Sequence, residues 1–438
     1  MNNQEASQAY LAATIENALT GEPSALPADS FSGGDLSAFA TDISALNAAD
    51  WGFIRFKAVF NLDVSDWDVS GVTTMADMFR GAKKFNMDIG DWKVDEVLSM
   101  RGMFWSAEDF NQQNIGFWHV NKVADMSDMF HGASSFDGNI GLWNVGLVTT
   151  MDSMFYGASS FNRYIGIWDV GAVADFSSMF RDAVKFDNDG KSIDGWDVSS
   201  AKYMDYMFSG ASVFNRTIAS WNVEAAITMA GMFQSASDFD TAIGDWDVSG
   251  VTDMSFMFDG ASSFNRDISG WDMSDVDNMK NMFRWAPSFN ADIDGWDVSD
   301  VTSMAGMFYG ASSFDQSLST WDVSRVEDMS DMFRETTVFN KDVSGWDVSK
   351  VTTMADMFRD AVAFDSPIFN LTAITEDVSG MFWGATVFNQ DVNIGWDVSG
   401  VTTMADMFRD AAAFDEGIFG LTATTTDVSG MFWGATDF

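Results

Sequence analysis

The chain has 438 residues, with 65 Asp and Glu against 23 Lys and Arg and a net charge of −42. That acidity excludes a nucleic-acid partner, because a phosphate backbone requires a cationic face, and it disfavours an anionic membrane. Apolar residues at 47% and aromatics at 15% exclude disorder for the bulk of the chain, and with no cysteine its stability must come from packing.

Residues 1–60 differ in texture from the rest. A polar, Ala-rich opening leads into "GEPSALPADSFSGGD", which holds two of the four prolines, and then into "LSAFATDISALNAADWGFIRFKAVF". The last segment is expected to cap the coil that follows it. The opening "MNNQEASQAYLAATIENALTG" has neither the basic segment nor the apolar run of a secretory signal. No stretch approaches the length of a membrane-spanning helix.

From residue 61 to 438 the chain repeats. Trp67, Trp92, Trp118, Trp143, Trp168, Trp196, Trp221, Trp246, Trp271, Trp296, Trp321, Trp346 and Trp396 mark a 25-residue step, stretched before Trp118 and Trp196, with Leu371 and Leu421 read as stand-ins. About fifteen units result, the last of them incomplete, and a period of this length means a solenoid. Within a unit, residues such as Ile293, Trp296 and Val298 follow the L-x-x-L-x-L pattern of a leucine-rich-repeat strand. Downstream, Val72, Met75, Met78, Phe79, Ala82 and Phe85 recur at three-residue steps, which predicts a short helix with the Thr of "VTxM" as its N-cap. The fold expected is an α/β repeat solenoid, a leucine-rich-repeat-like coil with one short strand and one short helix per repeat. Met-Phe pairs such as Met78-Phe79, and the Phe six residues on, are expected to form core ladders.

The units "FNRDISGWDMSDVDNMKNMF" and "FNKDVSGWDVSKVTTMADMF" resemble the repeat of the BspA-like leucine-rich surface proteins, whose 25-residue units were long catalogued as a domain of unknown function. The resemblance covers nearly everything from residue 61 onward. It implies a leucine-rich-repeat-like solenoid displayed at a cell surface or extracellularly, adhering to a protein or glycan of a host, matrix or other cell. It implies no catalytic residues.

The residues themselves agree on the last point. His119 and His131 are the only histidines, so a zinc site or a His-assisted nucleophile lacks its parts, and no phosphate loop or nucleophile elbow is present. The sharpest recurring group is the acid after each Trp, Asp247, Asp272, Asp297, Asp322 and Asp347, which lies between inward residues and must face outward. Carboxylates about 5 Å apart repel by roughly 0.8 kcal/mol per pair even in water, so something offsets that cost. Either each Asp accepts hydrogen bonds from the Ser two residues on, or the row collects cations or a basic partner. In the lengthened unit "DNDGKSID", Asp187, Asp189, Ser192 and Asp194 could offer oxygens to calcium around Gly190, although a plain insertion loop competes. Trp383 and Trp433, just past Met-Phe, are candidate partner anchors. Two functions are therefore expected: a non-enzymatic adhesion or protein-binding solenoid, or a structural subunit that self-associates end to end through its uncapped last repeat into a dimer or filament.

Overall fold

A computed structural model describes residues 58–393 and 395–438. The segment 1–60 expected to cap the coil therefore lies, apart from residues 58–60, outside the described residues. The chain divides into two compact units, Met1–Ala201 and Lys202–Phe438. Each is a stack of coils.

The coil from Ile268 to Phe289 shows how the sequence builds one turn. Ile268, Trp271, Met273, Val276, Met279, Met282, Phe283, Ala286 and Phe289 are all buried, so one coil turns a fixed apolar set inward and its neighbours cover both sides. The Met-Phe ladders expected from the sequence are present: Phe283 stacks on Phe308 at 5.8 Å and on Phe289 of its own coil at 3.7 Å. Trp296 stacks on Trp271 with its ring 6° from parallel. Its indole N–H also donates to the Ile268 carbonyl of the preceding coil at 3.1 Å. Tryptophan recurs because it fills the layer and ties it to the one before.

The expected helix does not form. Among the described residues, helical structure is confined to two 3-10 turns, Asn114–Phe117 and Asn188–Gly190. In place of a helix the chain runs through successive tight turns: Met282 N–H donates to Met279, Arg284 to Asn281 and Ala286 to Phe283, at 3.1–3.2 Å. The N–H groups between them, of Met279, Asn281, Phe283 and Trp285, donate to Ser303, Ala305, Met307 and Tyr309 of the next coil, at 2.7–3.1 Å. A helix would send each N–H to the residue four back. Here Asn281 (φ 56) and Trp285 (φ 52) adopt the left-handed conformation, which ends helical continuation and directs alternate N–H groups outward along the stack. The same two positions are left-handed in coil after coil, held by Asp77 and Gly81, Asn281 and Trp285, Asp356 and Asp360, Asp406 and Asp410. Gly, Asn and Asp are the residues that take this conformation most cheaply.

The strand is also displaced. The parallel bridge in each coil falls not at the Trp but at the residue before the Met of "VTxM", as in Thr228, Asp253, Asn278, Ser303 and Asp328. The Thr beside it caps no helix: Thr302 donates both its N–H and its hydroxyl to the Asp277 carbonyl of the preceding coil, at 2.9 and 3.1 Å. Leu371 and Leu421 do not replace tryptophan either. The rings in that layer are Phe369, stacked on Trp346 at 6.3 Å, and Phe419, stacked on Trp396 at 5.7 Å; Leu371 sits two residues on, where other coils have Val.

A polar ladder runs along each stack. Asn265 Oδ1 accepts the Asn290 N–H at 2.8 Å, Asn290 accepts that of Asp315 at 3.0 Å, and Asp315 accepts that of Asn340 at 3.1 Å. The residue after the second Phe thus satisfies a backbone donor of the next coil.

Candidate binding surface

The acid row faces solvent as expected. Asp247, Asp272, Asp297, Asp322 and Asp347 are exposed in consecutive coils. Each Oδ1 accepts the N–H of the Ser two residues on at 3.0–3.1 Å, and Asp247 and Asp272 also accept that Ser hydroxyl at 2.7 Å. The hydroxyl of Ser249, then its N–H, holds the Asp247 carboxyl below the usual carboxylate range, and Ser324 does the same for Asp322. Local hydrogen bonds therefore offset the repulsion along the row. One carboxylate oxygen shapes the turn and the second is presented outward.

A second surface row mixes arginines with aromatic side chains at one position of the repeat. The residue after each Met-Phe pair is, in the first unit, Arg80, Trp105, His131, Tyr156 and Arg181. The Arg80 guanidinium lies 3.6 Å from the Trp105 ring centroid, Trp105 stacks on His131 at 4.2 Å, and His131 meets Tyr156 edge-on at 4.4 Å. In the second unit, Arg334 lies over Tyr309 at 4.9 Å. Trp383 takes Arg359 at 3.6 Å and Arg409 at 4.4 Å, and its indole N–H reaches Asp410 at 3.2 Å. Trp433 takes Arg409 at 3.8 Å and is 65% exposed. Of the two tryptophans expected as anchors, Trp383 is thus enclosed by two of the chain's own guanidiniums and Trp433 is open. The signal was the alternation of guanidinium and aromatic side chains at this position, clear in the first five coils and again from Arg284 onward, with Ser209, Gln234 and Asp259 between them. Acids flank these arginines: Arg80 pairs with Asp77 at 3.0 Å, Arg334 with Asp331 at 3.0 Å and Arg409 with Asp406 at 3.2 Å.

The lengthened loop is organised by an amide. Asn188 is completely buried; its Oδ1 accepts the Ile165 N–H at 2.9 Å, and its Nδ2 donates to the Lys191 and Ser192 carbonyls at 2.9 and 3.1 Å. Asp189 pairs with the Lys191 ammonium at 2.9 Å, and the Asp194 N–H donates to Ser192 Oγ at 2.9 Å. Asp189 is thus held by Lys191, and among the described residues no three His, Asp or Glu side chains are placed to hold a metal ion. The two histidines have separate partners: His119 lies 3.1 Å from Asp95, and His131 lies 3.1 Å from Asp128. The first unit also carries an exposed apolar stripe, Phe117, Leu142 and Ile167, one residue before Trp in consecutive coils; Phe117 is 78% exposed.

Stacked coils with inward ladders and outward rows of polar, acidic and aromatic side chains define a repeat protein. The profile of the family described as "Mycoplasma protein of unknown function, DUF285" matches residues 41–116, 111–216, 188–296, 284–376 and 369–438, and the chain belongs to that family. No curated protein matches it. Among solved structures it is similar to a leucine-rich repeat protein from Bacteroides ovatus, at 12% identity and a TM-score of 0.25 over 66% of this chain and 80% of the other. It is also similar to TLR13 in a TLR13–ssRNA13 complex, at 7% identity and a TM-score of 0.16 over 78% and 65%. A third is a leucine-rich-repeat protein of Leptospira interrogans, at 6% identity and a TM-score of 0.16 over 87% and 92%. At such scores the likenesses carry no argument, and the coil rests on its own hydrogen bonds. Among the described residues no helix is long and apolar enough to cross a membrane.

Proposed function

We propose that this is a non-enzymatic, protein-binding repeat protein, acting at a cell surface or outside the cell, whose acidic face receives a basic segment of its partner. The observation that carries the reading is the row Asp247 to Asp347, in which every carboxylate is anchored through one oxygen and exposed in register with the next coil. A row already ordered for reasons of folding loses little side-chain entropy on binding. With a net charge of −42, it also steers a cationic segment towards the surface. The surface location is what the resemblance to the BspA-like proteins implies.

The test replaces all five with asparagine. Asparagine keeps the turn, since Asn144 and Asn222 already hold it by accepting the N–H groups of Gly146 and Glu224 at 3.2 and 3.1 Å. Fluorescence anisotropy of a labelled peptide of four Arg-Thr dipeptides is read against salt. The reading expects the five-Asn variant to bind more weakly and with a shallower salt dependence. Identical curves for the two proteins would contradict it.

A further inference from the structure

The groove beside Trp285 in the second unit is lined by Trp285, Pro287, Gly310, Glu335, Asp360 and Val362, among others. We propose that this groove takes an arginine side chain of the partner, with the guanidinium on the Trp285 ring and its N–H groups on Glu335 and Asp360. The proposal rests on the reading above, that the partner presents a basic segment.

Three observations support it. The first is that the chain supplies its own precedents. Trp105, Trp383 and Trp433 each carry a guanidinium from a neighbouring coil within 3.6–3.8 Å of the ring centroid, and those arginines pair with aspartates beside them. Trp285 meets Tyr309 on one side, at 4.7 Å and a 45° tilt, but among the described residues no Arg or Lys lies over it. The residue is 45% exposed. The indole thus stands beside carboxylates with no guanidinium over its ring.

The second is that the two carboxylates have capacity to spare. Arg334 Nε is 3.8 Å from Glu335 and Arg359 Nε is 3.6 Å from Asp360, both longer than a hydrogen bond. The Tyr309 hydroxyl donates to Glu335 at 3.4 Å. Charge-assisted, paired N–H donors from one planar guanidinium suit such a rim better than a single ammonium does.

The third is that stability does not explain the tryptophan. Trp285 occupies a left-handed position with φ 52, where Gly81, Gly132, Gly260 and Gly310 stand in other coils. A bulky side chain is strained there, and glycine is not. Across the groove Gly310 leaves the indole its space: a Cβ at residue 310 would run into the Trp285 ring. The floor is apolar, with Pro287 and Val362 to receive the methylene stem of an arginine.

The experiment compares three labelled peptides, of four Arg-Thr, four Lys-Thr and four citrulline-Thr dipeptides, by anisotropy against the native chain, Trp285→Gly and Glu335→Gln/Asp360→Asn. Glycine is the backbone-compatible choice at 285, and the second variant leaves the indole in place. The proposal expects Trp285→Gly to weaken the Arg-Thr peptide about five- to tenfold, the yield of a partly desolvated cation–π contact, and the Lys-Thr peptide by less. The carboxamide pair should also weaken the Arg-Thr peptide, and the citrulline-Thr peptide should not bind detectably. Unchanged Arg-Thr affinity in both variants, with binding to the native chain intact, overturns the groove assignment and leaves the acidic-face reading standing. Failure of the native chain to bind either cationic peptide overturns both.

Discussion

Replacing Trp296 with Phe tests what sets the 25-residue ruler. Phe keeps an aromatic ring in the layer, stacked on Trp271, and removes two things. The first is the indole N–H bond to Ile268. That carbonyl also accepts the Trp271 N–H at 3.2 Å, so it is not orphaned, and the loss is that of one net hydrogen bond, about 1 kcal/mol. The second is roughly three buried heavy atoms, worth about 2 kcal/mol as lost transfer free energy, with any cavity adding to it. The sum is about 3 kcal/mol, or roughly a hundredfold in a local equilibrium constant. A repeat stack opens locally, so one global melting curve averages the effect away. Hydrogen–deuterium exchange read peptide by peptide is the suitable assay: amides of residues 268–321 should exchange about a hundredfold faster, and those of the first unit at the native rate. A change below about threefold would mean that the Trp layer does not tie coil to coil, and the packing account would fail.

Asn188→Ala should cost about 3 kcal/mol or more, because it removes three buried hydrogen bonds at once, to the Ile165 N–H and to the carbonyls of Lys191 and Ser192; loss confined to a few tenths by chemical denaturation would show that the loop is organised some other way. Gly306→Ala places a Cβ against Asn281 Oδ1 at φ 61 and should cost at least about 1–2 kcal/mol, read by the same exchange assay; a neutral result would contradict the left-handed assignment. The pH dependence has two parts of opposite sign. Burial, the leading cause in each case, pushes the carboxyls of Asp152, Asp205 and Asp356 above the ordinary value near 3.8. The native state therefore takes up these protons first, and the stability they contribute is complete below that value and lost as pH rises through the folded pKa. The Ser-held carboxyls of Asp68, Asp197, Asp247 and Asp322 lie below it, so their contribution is present above that value and lost as pH falls through the lowered folded pKa. With relief of self-repulsion added, the melting temperature should rise as the pH falls from 7 towards the ordinary carboxylate value near 3.8 and fall again below it; a monotonic fall on acidification would refute the assignment of the buried acids.

The repeat and its interior were legible because Trp, Met and Phe recur at fixed steps and a solenoid must bury the same positions in each coil. The helix was misread because a three-residue apolar step suits consecutive i to i−3 turns as well as a helix face. Spacing alone cannot separate the two. What separates them is a second pattern, Asp77 and Gly81 or Asn281 and Trp285, where left-handed backbone recurs. The coils with Phe369 and Phe419 were misaligned by two residues because a shortened step followed by a lengthened one preserves the 50-residue sum. Outward acids followed from alternation, but the row beginning Arg80, Trp105, His131, Tyr156 did not, since it conserves stacking geometry across different side chains. The groove at Trp285 was invisible for a further reason: it joins residues of four successive coils, from Trp285 to Val362, which only the stack brings together.

The measurement that bears most directly on the central claim is zero-length carbodiimide coupling of a peptide of four Lys-Thr dipeptides to the native chain, with the sites located by mass spectrometry. The account predicts couplings concentrated on Asp247, Asp272, Asp297, Asp322 and Asp347. Couplings spread over the exposed carboxylates of both units in proportion to their accessibility would contradict it.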